Sequence, residues 1–279
     1  MSYKIIVDSC GEFTDEMKES PIFESIPLYL MVEEHQVIDD DTFNQKDFLD
    51  LVKSTKECPR SACPSPEQYL EKYKCGTERV YVVTLSANLS GSYNSAVLAK
   101  QILEETDENI KVHVFDSKSA SISETLIALK VKECEEEGKS FEEVVYLTEK
   151  YINNQNTHFV LEDLDTLRKN GRLTGIKMLV ASALNIKPIL GATPEGTIYQ
   201  ISTSRGMKKA LRTLVEEVVK TVRKPEEKIL AISHCNCKER AEDVKQMILQ
   251  HIHLKDVFIL DTKGVSTMYA SDGGIIVVV

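Results

Sequence analysis

Three segments carry hydroxyl, basic and glycine residues at spacings suited to holding an anion. The first is "TLSANLSGSYNSA", Thr84–Ala96, where the apolar run "VYVV" hands over to a helix-like segment. A Ser-Gly-Ser turn entering a helix presents backbone N–H groups and hydroxyls, a set that suits a carboxylate or a phosphate. Ser90, Gly91 and Ser92 are the natural donors. The turn has too few glycines for a phosphate loop, lacks its Gly-Lys-Ser/Thr ending, and is not framed as a nucleophile elbow. A serine nucleophile would also need a base, and nothing in the sequence places His113, His158 or His234 beside these serines.

The second segment is "CPRSACPSPEQYL", Cys58–Leu70, whose closely spaced prolines impose an extended course. Pro66 suits the first turn of a helix capped by Ser65. The segment reads either as a rigid entry to that helix or as an arm that holds the Ser61 hydroxyl over a site. The third is "LRKNGRLTG", Leu167–Gly175, a basic helix end closed by Asn170-Gly171. Pairing with the helix dipole accounts for Arg168 and Lys169 but not for Arg172 beyond the turn, which leaves an anionic partner as the other reading.

The elements that must position these segments follow from periodicity. "KIIVDS" (Lys4–Ser9), "RVYVVT" (Arg79–Thr84) and "KVHVFDS" (Lys111–Ser117) are near-continuous apolar runs, the pattern of fully buried parallel strands. Amphipathic helices are predicted between them, over Gln45–Ser54, Ser65–Lys74 and Ser95–Glu105. Strand ends such as Asp8-Ser9 and Asp116-Ser117 read as turn and cap residues or, at the carboxyl edge of a parallel sheet, as part of a ligand site. Helical patterns fill Ser121–Gln155, and the rhythm then changes. A short strand at Thr157–Asp163 precedes a hairpin at Leu184–Thr203, and helices at Arg205–Val222 and Cys237–Ile252 alternate with strands at Glu227–His234, Asp256–Asp261 and Gly273–Val279. The expectation is an α/β protein of two domains. Residues 1–155 form a Rossmann-like parallel sheet with flanking helices and carry the anion loops; residues 156–279 form an α+β domain with a mixed or antiparallel sheet.

Composition narrows the partners. The 279 residues carry a net charge of −10 and no long Lys/Arg run, which disfavours nucleic acid. No apolar stretch is long enough to span a membrane, and the N-terminus lacks the layout of a signal peptide, so a cytoplasmic location is expected. The seven cysteines are scattered and read as free thiols. "HCNC", His234–Cys237, has no second pair at zinc-site spacing, and no metal or other cofactor is expected.

The three anion segments, together with "IIVDSCGEFT" (Ile5–Thr14), "IPLYL" (Ile26–Leu30), "DSKSAS" (Asp116–Ser121) and "LNIKPIL" (Leu184–Leu190), resemble the DegV family of bacterial lipid-binding proteins in order and spacing. Its members include the fatty-acid-binding subunit of fatty acid kinase. The resemblance implies a non-catalytic carrier that holds a long-chain, palmitate-like fatty acid between two domains. A partner kinase subunit would phosphorylate the acid to an acyl-phosphate that feeds phospholipid synthesis. It places the carboxylate at Ser61, Ser90, Gly91 and Tyr269, and assigns Arg168, Arg172 and Arg205 to the partner or its nucleotide. Ser61 stands where the family has Thr, Ser123 where Gly is common, and Tyr269 where it has His; a phenol donates a hydrogen bond but carries no positive charge. The rival reading is a Ser-dependent hydrolase or a small-molecule phosphotransferase acting at the Ser-Gly loop.

Overall fold

The computed structural model describes residues 2–106, 109–173 and 185–279. Leu184 of the expected hairpin and Thr174-Gly175 of the basic turn lie outside the described residues. In the first half the described elements are β1 (Tyr3–Asp8), α1 (Asp15–Glu19), β2 (Phe23–Ile26), β3 (Tyr29–Val32), β4 (His35–Ile38), α2 (Gln45–Ser54), β5 (Arg60–Ala62), α3 (Pro66–Tyr73), β6 (Arg79–Thr84), α4 (Ser92–Glu104), β7 (Lys111–Asp116), α5 (Ile122–Glu136) and α6 (Phe141–Ile152). In the second half they are β8 (Thr157–Val160), α7 (Asp165–Lys169), β9 (Ile186–Ala192), β10 (Ile198–Arg205), α8 (Met207–Thr221), β11 (Ile229–His234), α9 (Lys238–Leu249), β12 (Asp256–Asp261), α10 (Gly264–Ala270) and β13 (Ile275–Val278).

The first sheet is parallel throughout, in the order β2-β1-β6-β7. Both faces are covered, which explains the unbroken apolar runs of its strands. Ile5, Val7, Tyr81 and Val83 pack beneath α5 and α6, and Ile6, Val80 and Val82 pack against α3 and α4. The second sheet is mixed, in the order β10-β9-β8-β13-β11-β12; among the described residues β11 and β12 pair parallel and the other neighbours antiparallel. Helices α8 and α9 cover one of its faces with Leu214, Val218, Val244 and Ile248. Between the sheets runs α5, buried on both sides: Ile127 and Val131 face the first sheet, while Ile122 and Leu126 meet Ala231 and Val278 of the second. That double burial is why its pattern is not amphipathic.

A third sheet, β4-β3-β5, is antiparallel and lies outside the strand pattern read from the sequence. The proline-rich segment contributes β5 to it, with Ser61 opposite Leu30. Three residues between prolines are too short to show periodicity; pairing with β3 defines them as a strand. Capping is as the sequence suggests at α3, where Ser65 and Gln68 form a reciprocal capping box. Helix α4 begins three residues earlier than periodicity suggests, because Gly91 rather than a later residue is its N-cap.

The two main sheets are also joined at the β9–β10 turn. Ser86 Oγ donates to the Gly196 carbonyl at 2.7 Å, and Asn88 Nδ2 donates to the Glu195 carbonyl at 2.5 Å. Gly196 has φ +83°, and a Cβ there would lie 2.3 Å from Ser86 Oγ and 2.8 Å from Lys118 Cα. Only glycine permits both the conformation and the approach.

Candidate ligand site

Where the first sheet's carboxyl edge meets the second sheet and α10, the chain leaves a cavity with about 100 Å³ open to the centre of a water molecule, inside about 740 Å³ of atom-free space that runs out into solvent. Its wall is mainly apolar: Leu85 and Leu89 come from the Ser-Gly loop, Phe159, Leu161 and Ile276 from the second sheet, and Val265 from α10. The polar groups that reach it are Tyr269 and Arg172 together with Cys10, Ser119, Ser121 and Ser266 among others.

Tyr269, on α10, points its phenol at Ser61 on β5, 3.2 Å away. Two hydroxyls that share one hydrogen bond leave one proton free to donate elsewhere. Burial raises the Tyr269 pKa, against the hydrogen bond from Ser61 and the nearby charge of Arg172, so the phenol stays a neutral donor. Arg172, taken from the sequence as facing a partner, lines the cavity. Its Nε donates to the Leu89 carbonyl at 3.1 Å, and it also bonds the Asn170 carbonyl. Asn170 in turn donates to the Pro59 carbonyl at 3.0 Å, which ties the end of α7 to the proline-rich segment.

Ser90 and Gly91 form the entry to α4. Ser90 Oγ accepts from the Ser92 N–H at 3.2 Å, and the N-cap Gly91 supplies no side chain to the helix end. N–H groups at the first turn are therefore available to an anion. A Cβ on Gly91 would lie 3.1 Å from Cys63 Sγ, so the Ser-Gly loop abuts the proline-rich segment. Thus Ser61 and Tyr269 touch directly, while Gly91 lies beside Cys63 and Arg172 bonds the Leu89 carbonyl; of the four residues expected at the carboxylate, Tyr269 lines the cavity and Ser61, Ser90 and Gly91 lie outside its lining. Arg168 is exposed and pairs with Asp165 at 2.9 Å, and Arg205 is exposed at the end of β10. His113, His158 and His234 partner Glu149, Thr221 and Asp261 rather than a serine of this loop.

The strand ends build the loops. Asp8 Oδ2 accepts from the Leu85 N–H at 3.0 Å and from Ser92 Oγ at 2.6 Å, holding the Ser-Gly loop at both ends. Asp116 Oδ1 accepts from the N–H groups of Ala87 and Lys118. Ser9 Oγ donates to Asp39 at 2.9 Å and accepts from the Leu28 N–H at the start of the β3 segment. Asp39 then accepts from Gly264 and Val265 at 2.7 and 2.9 Å, anchoring the helix that carries Tyr269. Burial pushes the Asp39 carboxyl up to about 6 despite those donors. Asp8-Ser9 therefore connects the Ser-Gly loop, the sheet carrying Ser61 and the helix carrying Tyr269.

A second polar cluster, all of it buried, starts at Cys10 in the cavity wall and continues behind it with Asp8, Glu12 and Glu124. Glu12 accepts from Ser121 Oγ at 2.8 Å, and burial pushes its carboxyl up to about 8. Ser121 sits at φ 60°, an uncommon conformation for a residue with a side chain, and its hydroxyl also meets Ser233 at 2.7 Å. Sequence reasoning missed Glu12, Asp39 and Glu124. Glu124 reads as an acid in the first turn of a helix and Asp39 as part of an acidic turn, both ordinary exposed patterns. Only the non-amphipathic pattern of α5 signals burial on every side.

These features describe a two-domain α/β protein with an apolar cavity and a donor-rich pole. The DegV family model, described as "Uncharacterised protein, DegV family", matches residues 2–279, and the chain belongs to that family. A DegV domain-containing protein of Streptococcus pneumoniae is 33% identical over 280 residues, covering 99% of this chain and 98% of the relative. Among solved structures, a DegV family protein from Ruminococcus gnavus, refined with vaccenic acid, is 57% identical with a TM-score of 0.97 and covers 99% of both chains. The Streptococcus pneumoniae Fatty Acid Kinase (Fak) B3 protein, loaded with linoleic acid, is 31% identical with a TM-score of 0.90, over 100% of this chain and 99% of that one. No helix among the described residues is long and apolar enough to cross a membrane.

Proposed function

We propose that this chain is a carrier of long-chain fatty acid, with the tail in the apolar cavity between residues 1–155 and 156–279. The carboxylate is held by Ser61, Tyr269, Ser90 and the Gly91 N–H. The observation that carries this reading is the meeting of Ser61 and Tyr269 at 3.2 Å, from different elements, with Tyr269 and Arg172 lining the cavity. A buried carboxylate needs hydrogen-bond donors, because leaving its charge unpaired costs many kcal/mol. Hydroxyls and helix N–H groups meet that need, and Arg172 adds the positive charge that Tyr269 lacks. The tail supplies affinity: at about 0.8 kcal/mol per methylene, a chain of about sixteen carbons offers on the order of 10 kcal/mol before ordering costs.

Likeness to the Fak B3 protein supports the next step, in which a kinase subunit phosphorylates the bound acid. On this reading the chain performs no chemistry, works in the cytoplasm, and presents Arg168 and Arg205 to the kinase. The ties of His113, His158 and His234 to other partners weigh against a serine hydrolase. Native mass spectrometry after loading with oleate or palmitate tests the carrier: one fatty acid per chain is expected, and a chain that takes up none overturns it. Addition of a fatty acid kinase catalytic subunit and ATP tests the presentation step, with acyl-phosphate as the expected product.

A further inference from the structure

The carboxyl groups of Asp8 and Glu124 and the thiol of Cys10 lie within 4.8 Å of one another; all three residues are buried, and Cys10 lines the cavity while the two acids lie behind it. Their hydrogen bonds are unequal. Asp8 accepts three, from the Cys10 N–H at 3.2 Å, the Leu85 N–H at 3.0 Å and Ser92 Oγ at 2.6 Å. Ser92 Oγ itself accepts from the Tyr69 phenol at 2.6 Å, since its own proton goes to Asp8. Asp8 is thus solvated as an anion by the ends of the Ser-Gly loop. Among the described residues neither oxygen of Glu124 meets an N–H or O–H donor, although the side chain is wholly buried; the weakly donating Cys10 thiol is the one hydrogen-bonding neighbour besides Asp8. An ionised Glu124 would face Asp8 with no compensating charge, an arrangement that like carboxylates at short range do not sustain. A metal ion would relieve the repulsion, but the N–H and O–H groups that surround Asp8 direct positive hydrogens at the oxygens a cation would need.

We propose that Glu124 is a neutral carboxylic acid that gives its proton to a hydrogen bond with Asp8, and that this pair is the positioning device for the Ser-Gly loop. Asp8 keeps the negative charge and grips Leu85 and Ser92, the residues on either side of Ser90 and Gly91. Glu124 caps Asp8 from α5 and keeps a second negative charge away from the pole where a ligand carboxylate docks. The titratable groups facing Glu124 are Asp8, Cys10 and Glu12 from the β1 edge and Tyr69 from α3. Burial first, and then the charge of Asp8, hold the Glu124 pKa well above its ordinary value. Ionisation at high pH would place two anions behind Ser92 and loosen the loop. The role in ligand binding rests on the fatty-acid reading above; the protonation state does not.

Infrared difference spectroscopy on the ligand-free full chain tests the proton directly. A carboxylic-acid carbonyl band at neutral pH, with a component that disappears in Glu124→Gln, is expected. No such band, or one unaltered in Glu124→Gln, overturns the proposal. So does a stoichiometric metal, found by elemental analysis of the purified chain and lost in the variant. Oleate affinity measured against pH tests the positioning role. Wild type should lose about tenfold or more as the acid ionises, a change of about 1.4 kcal/mol or more, while Glu124→Gln, which keeps a donor towards Asp8, should hold its neutral-pH affinity with a flat profile. Parallel profiles would leave the proton in place but remove its role in the loop. Failure of both proteins to bind oleate would overturn the fatty-acid reading and, with it, that role, leaving the infrared result standing.

Discussion

Two polar clusters flank the cavity, one at its rim and one behind its wall, and they are opposite in kind. At one, Ser61, Tyr269 and Arg172 bring more donors than the protein's own acceptors consume. At the other, Asp8, Glu12 and Glu124 bring more acceptor oxygens than the protein's donors satisfy. A surplus of donors next to an apolar cavity is poised for an incoming anion. A surplus of carboxyl oxygens in the same low-dielectric surroundings can persist only by keeping protons. The two poles share the same loop: Asp8 holds the Ser-Gly segment from behind, and that segment abuts the donor pole through Cys63 and Leu89. Polar burial therefore has two meanings in this molecule, recognition where donors are in excess and internal scaffolding where acids are.

The contrast breaks most severely at Asp8. Asp8→Ala strands three donors in the interior and should cost on the order of 3–5 kcal/mol in urea unfolding; a loss below about 1 kcal/mol would mean that the acid pole is not a scaffold. The seam between the sheets comes next. Gly196→Ala meets both the +83° φ and the contact with Lys118, so a loss of about 2–3 kcal/mol is expected by the same measurement.

The acid pole also predicts an unusual pH response. Glu12 is held at about 8 against 4.5 in the unfolded chain, so the folded state keeps a proton that the unfolded state sheds. Its stability contribution is complete below 4.5 and is lost as pH rises through about 8. Stability should therefore increase as pH falls from 8 to 6.5, by up to about 1.4 kcal/mol per pH unit from Glu12, and Glu12→Gln should flatten that part of the slope. Below 6.5 the buried His158, held down at about 4, acts in the opposite sense, because the unfolded state then binds the extra proton. The smallest effect on stability belongs to the donor pole. Tyr269→Phe should change unfolding by less than about 1 kcal/mol while weakening oleate binding about fivefold to tenfold, as expected for one lost hydrogen bond to a charged ligand. Equal changes in stability and binding would erase the distinction between the poles.

Much of the scaffold was legible before any coordinates. Unbroken apolar runs identified β1, β6 and β7, because strands buried on both faces need no polar alternation. Ser65 ahead of Pro66 marked the start of α3 through local capping chemistry, whereas Gly91, which has no side chain to cap with, left the start of α4 three residues out. Strands β2 to β5 escaped because each has only three or four residues, too few for a period to register.

By itself the sequence determined the buried strands of the first sheet, most helices and the Ser-Gly turn, because those outcomes depend on neighbours within a few residues, whereas the short strands β2 to β5 depended on pairing. Tertiary structure alone decided that Ser61 meets Tyr269 across 208 positions of chain, that Arg172 turns to the cavity, and that Glu124 is sealed against Asp8. Charge and hydrogen-bonding capacity belong to the residue. Whether they are exposed, shared or buried without a partner depends on what the rest of the chain packs against them.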